Sequence, residues 1–257
     1  MSTASVTVKL GGAAGREDTA LAALAARAEP GWVVVHGGGA EIGAWTERFG
    51  LTSTTIDGLR VTDAATLDVA VAVLRGLVNA RIVASLAVAG VSALGLSGVD
   101  GDLMRAERFD ERLGSVGRVS SVNRSLLDEI IAGGRVPVVA PIARAENADL
   151  LNVNADEAAG AIAAARGGRL ILMTDVPAVM RGSEPLAAIG IDEAEALLAD
   201  DSASGGMRPK LRAAIVAARA GCLVQIVNGT DPGAVRAALD GETTGTTVTA
   251  ARAAGIG

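Results

Sequence analysis

The stretch WVVVHGGGAEIGAWTERF, residues 32–49, joins an apolar strand-like run to a helix-like run through three consecutive glycines. Glycines at such a junction let the backbone approach a ligand closely, and the start of the helix offers N–H groups to an anion. It is not the common nucleotide loop. The chain contains no G-x-x-x-x-G-K-[ST] and no convincing dinucleotide fingerprint. His36, the only histidine, closes the strand. A lone histidine there reads as structural support rather than as a catalytic base.

The same strand-then-helix rhythm extends outward in both directions. VTVKL (6–10) is followed by a helical stretch around 17–28, and the glycines lead into another over 40–49. A long one runs through 64–89, ahead of the strand-like VSALGLSG (91–98). Helical stretches around 123–133, 156–166 and 207–220 precede VPVVAPI (136–142), GRLILMTDV (168–176) and CLVQIVNG (222–229). This alternation predicts an α/β fold with a mainly parallel sheet and helices on both faces. Ligands on such sheets bind beyond the carboxyl ends of the strands. Two segments break the rhythm. Residues 99–121 are charged and turn-rich and predict a hairpin excursion, and 181–206 predict an irregular insertion with a short helix at 192–199. With no internal repeat and no long linker, the pattern predicts one chain-long fold with two lobes.

Bulk composition removes several function classes. The 257 residues are 50% hydrophobic and 20% charged, which fits a globular chain with ample core. A net charge of −6 argues against nucleic acid, whose binding needs a basic surface. Aromatics at 2%, with no tyrosine, argue against stacking platforms. The one cysteine, Cys222, excludes an internal disulfide framework and a cysteine-cluster metal site, and reads as a buried small hydrophobe. No export signal is visible, and 82–98 read as a helix end, a turn and a strand rather than a membrane span.

Charged and amide side chains then recur at the ends of these elements. Lys9 lies in a strand expected to be buried, directly before Gly11 and Gly12. A buried lysine is costly unless it meets an anion, so it reads either as an anion ligand or as an edge-strand residue before an ordinary turn. In SGGMRPKL (204–211), Lys210 sits in the first turns of a helix after a glycine pair, either exposed or turned to the same anion. Arg60 lies in a loop before a helix that Asp63 is placed to cap, and can grip a carboxylate with both arms. In LLNVNADEAAGAIAAA (150–165), strand spacing puts Asn152 and Asn154 on one face, and Asp156 sits where a helix begins. A capping role alone would explain that pattern too. The inventory contains anion cradles, two lysines, an arginine, amides and an aspartate, but no nucleophile–base pair. It suits phosphoryl transfer, where protein groups position reactants and stabilise charge. A carboxylate acceptor would already be ionised and need no base.

The motifs VKLGG (8–12), VVVHGGG (33–39), GLRVTD (58–63), GLSGVDGDL (95–103), NVNAD (152–156), LILMTDV (170–176) and GGMRPKL (205–211) span nearly the whole chain. Together they resemble the amino acid kinase family, and within it the members that phosphorylate N-acetylglutamate. The resemblance implies a three-layer αβα sandwich, with residues 1–150 binding the acyl amino acid and 151–257 binding MgATP. It implies that Lys9 and Lys210 stabilise the phosphoryl group in flight while Asp156 orients them. Gly11, Gly12, Gly38 and Gly39 would cradle phosphate or the reacting carboxylate. Arg60, Asn152 and Asn154 would face the substrate, and Asp175, Ser204 and Gly206 would border the nucleotide. ATP, with Mg2+ carried on it, would be the donor, in a cytoplasmic step of arginine biosynthesis. The AAG after Gly12 is closer to members that phosphorylate aminoadipate or glutamate on an amino-group carrier protein. GLRVTD and NVNAD match the N-acetylglutamate form, and a net charge of −6 is no obvious match for an acidic carrier. No helix precedes the first strand, which by the same resemblance implies an arginine-insensitive homodimer.

Overall fold

The computed structural model of the chain describes residues 5–11, 19–56, 58–200, 203 and 205–250. The first half of the described chain runs β1 (Val6–Leu10), α1 (Thr19–Ala25), β2 (Trp32–His36), α2 (Gly39–Arg48), β3 (Thr55–Ile56), β4 (Leu59–Arg60) and α3 (Ala64–Val71). A π-helical segment (Ala72–Val78) leads into α4 (Asn79–Val88), followed by β5 (Ala93–Ser97), β6 (Met104–Arg108), β7 (Val116–Val122), α5 (Arg124–Ala132), β8 (Val136–Ala140) and β9 (Ile142–Arg144). Then come β10 (Leu150–Val153), α6 (Ala155–Arg166), β11 (Arg169–Thr174), β12 (Val179–Arg181), β13 (Glu184–Leu186), β14 (Ala188–Gly190) and α7 (Ile191–Ala199). The last elements are α8 (Met207–Arg219), β15 (Leu223–Asn228), α9 (Pro232–Leu239) and β16 (Thr246–Thr249).

Eight strands form one sheet in the order β14-β16-β15-β11-β1-β2-β8-β5. Every neighbouring pair is parallel except β15 and β16. Most of its interior strands are apolar on both faces, as a sheet covered twice requires, while the central β1 turns Thr7 and Lys9 to one of them. Successive residues of each strand feed opposite layers. Val33 and Val35 of β2, with Leu170 and Leu172 of β11, pack under α5, α6, α7 and α8. Val34, Ile171 and Met173 pack under α1, α2, the α3–α4 run and α9. Each large apolar side chain so buried contributes about 1.5–3 kcal/mol. The α/β class and the three-layer αβα arrangement are therefore as expected. One helical run, Ala64–Val88, is long and apolar enough to cross a membrane by length and composition. Here Val69, Val73, Leu74, Val78, Ile82 and Leu86 are buried in the second layer.

Where the structure departs from expectation, the cause is short or non-local pairing. The predicted hairpin at 99–121 is β6 and β7, which close a small barrel with β9 and β10. The 181–206 insertion does contain the expected helix, α7, but also β13 and β14. Arg60 lies in β4, a two-residue strand, and not in a loop. Asp63 caps α3 as expected, accepting from the Thr66 N–H at 2.8 Å. Cys222 is buried at the entry to β15 and donates to the Ala163 carbonyl at 3.2 Å. The long helix is interrupted by the π-helical segment, which hydrophobic periodicity does not reveal.

The α6 and α8 helices meet backbone to backbone. A Cβ at Gly160 would lie 2.8 Å from the Ala213 carbonyl oxygen and 2.9 Å from its Cα. Gly160→Val is expected to lower the free energy of unfolding by about 1–3 kcal/mol through overpacking. The measurement is a urea titration, with a lower midpoint and an unchanged slope.

Candidate active site

Residues 9, 156 and 210 meet at the carboxyl end of β1. Strand alternation sends Val6, Val8 and Leu10 into one layer. Lys9 is thereby turned into the other, toward α6 and α8. At the end of β10 the Asn154 side chain caps α6, its Oδ1 accepting from the N–H groups of Asp156 at 2.9 Å and Glu157 at 3.3 Å. That cap sets Asp156 in the first turn, where the helix dipole favours a carboxylate. Lys210 lies in the first turns of α8, its Nζ donating to the Gly206 carbonyl at 3.4 Å.

Asp156 bridges the two lysines. Its Oδ1 is 3.0 Å from Lys9 Nζ and its Oδ2 3.4 Å from Lys210 Nζ. The three residues are 5%, 5% and 8% exposed for Lys9, Asp156 and Lys210. Burial pushes the Lys9 ammonium below the usual lysine range, with Lys210 adding to the push and Asp156 opposing it. These are the only two lysines in the sequence. Lysine scarcity was a signal available in composition, because a chain that otherwise uses arginine keeps lysine only in this cluster.

Two cavities flank the cluster, one lined by Lys9 and Asp156 and the other by Lys210. One, of about 220 Å³, is lined by Lys9, Gly38, Gly39, Arg60, Asn152, Asn154 and Asp156, with Ile42, Leu59 and Leu74 among its apolar walls. The other, of about 240 Å³, is lined by Lys210, Gly206, Thr174, Asp175 and Ala203, with Val179, Met180 and Met207. A roomier cavity of about 600 Å³ is walled by Ala161, Ile215 and Val216 and contains none of these groups.

The glycine-rich turn closes the first cavity. Gly38 has no side chain to cap α2, and the first N–H groups of a helix lack intrahelical partners and suit an anion. A Cβ at Gly38 would lie 2.7 Å from Leu74 Cδ2, whereas one at Gly39 would meet open space. A Cβ at Gly11 would lie 2.3 Å from the Met173 carbonyl oxygen. The Arg60 guanidinium donates to the Gly39 carbonyl at 2.8 Å and to Ser53 Oγ. Asn152 Nδ2 donates to Thr62 Oγ1 at 3.3 Å, and that hydroxyl donates to the Arg60 carbonyl at 2.9 Å. Ser53 and Thr62, which hold Arg60 and Asn152, were not singled out in the sequence. Gly12 and Ser204 lie outside the described residues. The other expected site residues fall on these two cavities or, for Gly11, beside Lys9. Asn154 has a structural duty as well, because its oxygen is committed to the helix cap.

Chemically, two ammonium groups and one carboxylate leave a buried net positive charge between two cavities. Such a charge is stable only with an anion beside it. Among the described residues, no group of three His, Cys, Asp or Glu side chains is arranged to hold a metal ion.

Comparison with known proteins gives a consistent result. The sequence pattern of the amino acid kinase family matches residues 6–228. An acetylglutamate kinase of Methanopyrus kandleri is 46% identical over 207 residues, covering 76% of this chain and 84% of the relative. One from Dehalococcoides mccartyi is 40% identical over 254 residues, covering 95% of this chain and 93% of the relative. Among solved structures, a protein from Streptococcus mutans UA159 superposes with a TM-score of 0.80 at 28% identity, covering 96% of this chain and 98% of its own.

Removing the bridging carboxylate tests the charge argument. Asp156→Asn is expected to cost about 3–5 kcal/mol at pH 7, the usual result of leaving buried charge uncompensated. Lys9 titrates below its unfolded value in the folded state, so above its folded pKa the unfolded chain holds more protons. Stability therefore rises with pH up to the ordinary lysine pKa. The deficit of the variant, measured by urea unfolding from pH 7 upward, is expected to narrow as Lys9 becomes free to lose its proton.

Proposed function

The chain belongs to the amino acid kinase family, and we infer that it transfers the terminal phosphoryl group of ATP to the side-chain carboxylate of N-acetyl-L-glutamate. The products are ADP and N-acetyl-L-glutamyl 5-phosphate. The observation that carries the reading is the buried Lys9–Asp156–Lys210 bridge, flanked by two cavities. A donor phosphate on one side and an acceptor carboxylate on the other would each supply the missing negative charge.

In this reading the acceptor lies in the cavity of Gly38, Gly39, Arg60 and Asn152. Arg60 and Asn152 hold its α-carboxylate and amide, Asn154 borders it, and the glycine N–H groups receive the reacting carboxylate. The nucleotide lies in the cavity of Asp175 and Gly206, with Gly11, Gly12 and Ser204 at its phosphates and edge. Residues 1–150 then form the acceptor lobe and 151–257 the nucleotide lobe. The attacking oxygen is already ionised, so no general base is required. Lys9 and Lys210 flank the group in transit and offset the charge on its oxygens, and Asp156 keeps both ammoniums in place. Mg2+ enters as part of the nucleotide substrate.

We place the step in arginine biosynthesis in the cytoplasm. A homodimer is the proposed assembly. The edge strand β5 and the end of α4 support it, because they leave Leu94 and Val88 exposed at one end of the sheet. A carrier-bound aminoadipate or glutamate is not favoured as the substrate, given relatives named as acetylglutamate kinases at 40–46% identity.

The direct test traps the acyl phosphate with hydroxylamine in the presence of MgATP. N-acetyl-L-glutamate should give strong hydroxamate, and free glutamate and aminoadipate little. Silence with all three would move the substrate to the carrier. Lys210→Ala and Lys9→Arg should each lower kcat by roughly 100- to 1,000-fold. Arginine should fail in place of Lys9 because a planar fork does not replace a compact ammonium in that space. Gly39→Ala should fold normally, since its methyl meets open space, yet raise the KM for the acceptor by about tenfold or more as it enters the cavity.

A further inference from the structure

One buried polar pair beside the first cavity has no part in the chemistry above. His36 ends β2 and is fully buried, and Asn79 opens α4 at 1% exposure. The ring donates from Nδ1 to the Gly37 carbonyl at 2.9 Å. Its Nε2 accepts from Asn79 Nδ2 at 3.1 Å. That amide nitrogen also donates to the Val138 carbonyl of β8 at 2.8 Å, with the Leu96 carbonyl of β5 at 3.5 Å. Two strand carbonyls therefore fix which end of the amide faces the ring, and the amide fixes the ring's tautomer.

The geometry of a peptide unit carries this outward. No peptide among the described residues is cis, and in a planar trans unit the carbonyl and N–H point in opposite directions. Pinning the Gly37 carbonyl therefore also aims the Gly38 N–H, at the residue that lines the acceptor cavity. Leu74 and Val78 of the π-helical segment confine the same turn, lying 2.7 and 3.3 Å from where a Gly38 Cβ would be. In an ordinary α-helix Leu74 and Asn79 would project about 140° apart. The wider π turns bring positions five apart closer to one face, and such segments recur at functional sites. Space for Asn79 depends on β5, where a Cβ at Gly95 would lie 2.1 Å from its Oδ1. Burial holds the ring's pKa down to about 4, so it stays neutral and adds no charge to the cleft.

We propose that His36 and Asn79 are positioning residues for the transfer: through the Gly37 carbonyl they aim the Gly38 N–H at the acceptor carboxylate, which neither residue touches. This rests on the acceptor assigned to that cavity above. The chain has a single histidine, so its ring nitrogens are read without ambiguity by NMR. Wild-type protein without ligand should show the Nδ1–H tautomer. Adding N-acetyl-L-glutamate should shift the ring signals, and ADP alone should not. In the hydroxamate assay His36→Leu and Asn79→Leu should lower kcat roughly 10- to 100-fold, the usual cost of a small misplacement, with the KM for ATP unchanged. His36→Asn, whose amide keeps a donor near the position of Nδ1, should recover much of the loss.

An Nε2–H tautomer, a ring blind to the acceptor, or a folded His36→Leu enzyme with normal kcat would each overturn the proposal. Should His36→Leu not fold, the wild-type tautomer and its response to the acceptor decide alone. Absence of wild-type turnover with N-acetyl-L-glutamate would instead remove the acceptor assigned above. The ring's tautomer, and its response to whichever acceptor is turned over, would then still decide the role of the pair.

Discussion

Asp156 holds two buried ammonium groups at 3.0 and 3.4 Å, and the arrangement of the site depends on that one carboxylate. A unit charge pair at about 4 Å is worth roughly 4 kcal/mol at the effective dielectric of a protein surface. Two lysines facing each other without Asp156 would repel. With it they are held side by side, and Asp175 adds its attraction to Lys9. Two ammonium groups so placed favour an anion that enters the cleft, which is what a phosphoryl-transfer site requires.

The bridge unites three distant parts of the chain, and the sheet order explains how they meet. The central strand β1 lies between β11 and β2, so its carboxyl end faces both cavities. Asp156 and Lys210 come from α6 and α8, which touch through Gly160 and Ala213. Helices packed backbone to backbone leave little freedom for side chains in their first turns. The tight apolar packing of the layer is thus also the device that sets the spacing of the charges.

The glycines divide by purpose. Gly11, Gly38, Gly95 and Gly160 admit a neighbour that any Cβ would strike, while Gly39 faces open space at the cavity. Glycine is kept at the first four for packing. At Gly39 it leaves the cavity open. This separates parts of the GGG motif that look equivalent in the sequence.

Much of the layered core was legible from the sequence, because buried parallel strands and amphipathic helices carry their periodicity locally. The loop-closing elements were not. β3 and β4 are two residues each, too short for alternation to show. The small barrel needs β7 beside β10, pairing Val116 with Asn152, and nothing local encodes so distant a partner. α9 was missed although Asp231 and Pro232 form a readable start, with Asp231 accepting from the Gly233 and Ala234 N–H groups. The NVNAD segment suggested both a cap and a lysine partner, but not which residue does which. Asn154 caps the helix and Asp156 binds the lysines, and a sequence does not say which polar residue turns which way.

The sequence by itself determined the α/β class, the strands that end in glycine, and the identity of Lys9, Lys210, Arg60, Asn152 and Asp156 as candidates, because residue type and local spacing suffice for these. Only the tertiary structure decided that Asp156 reaches the two ammoniums at 3.0 and 3.4 Å, that two cavities flank them, and that His36 leans on Asn79. Those contacts join residues 43 to 147 positions apart. Close approach at that separation is set by the packing of whole layers, to which no local pattern has access.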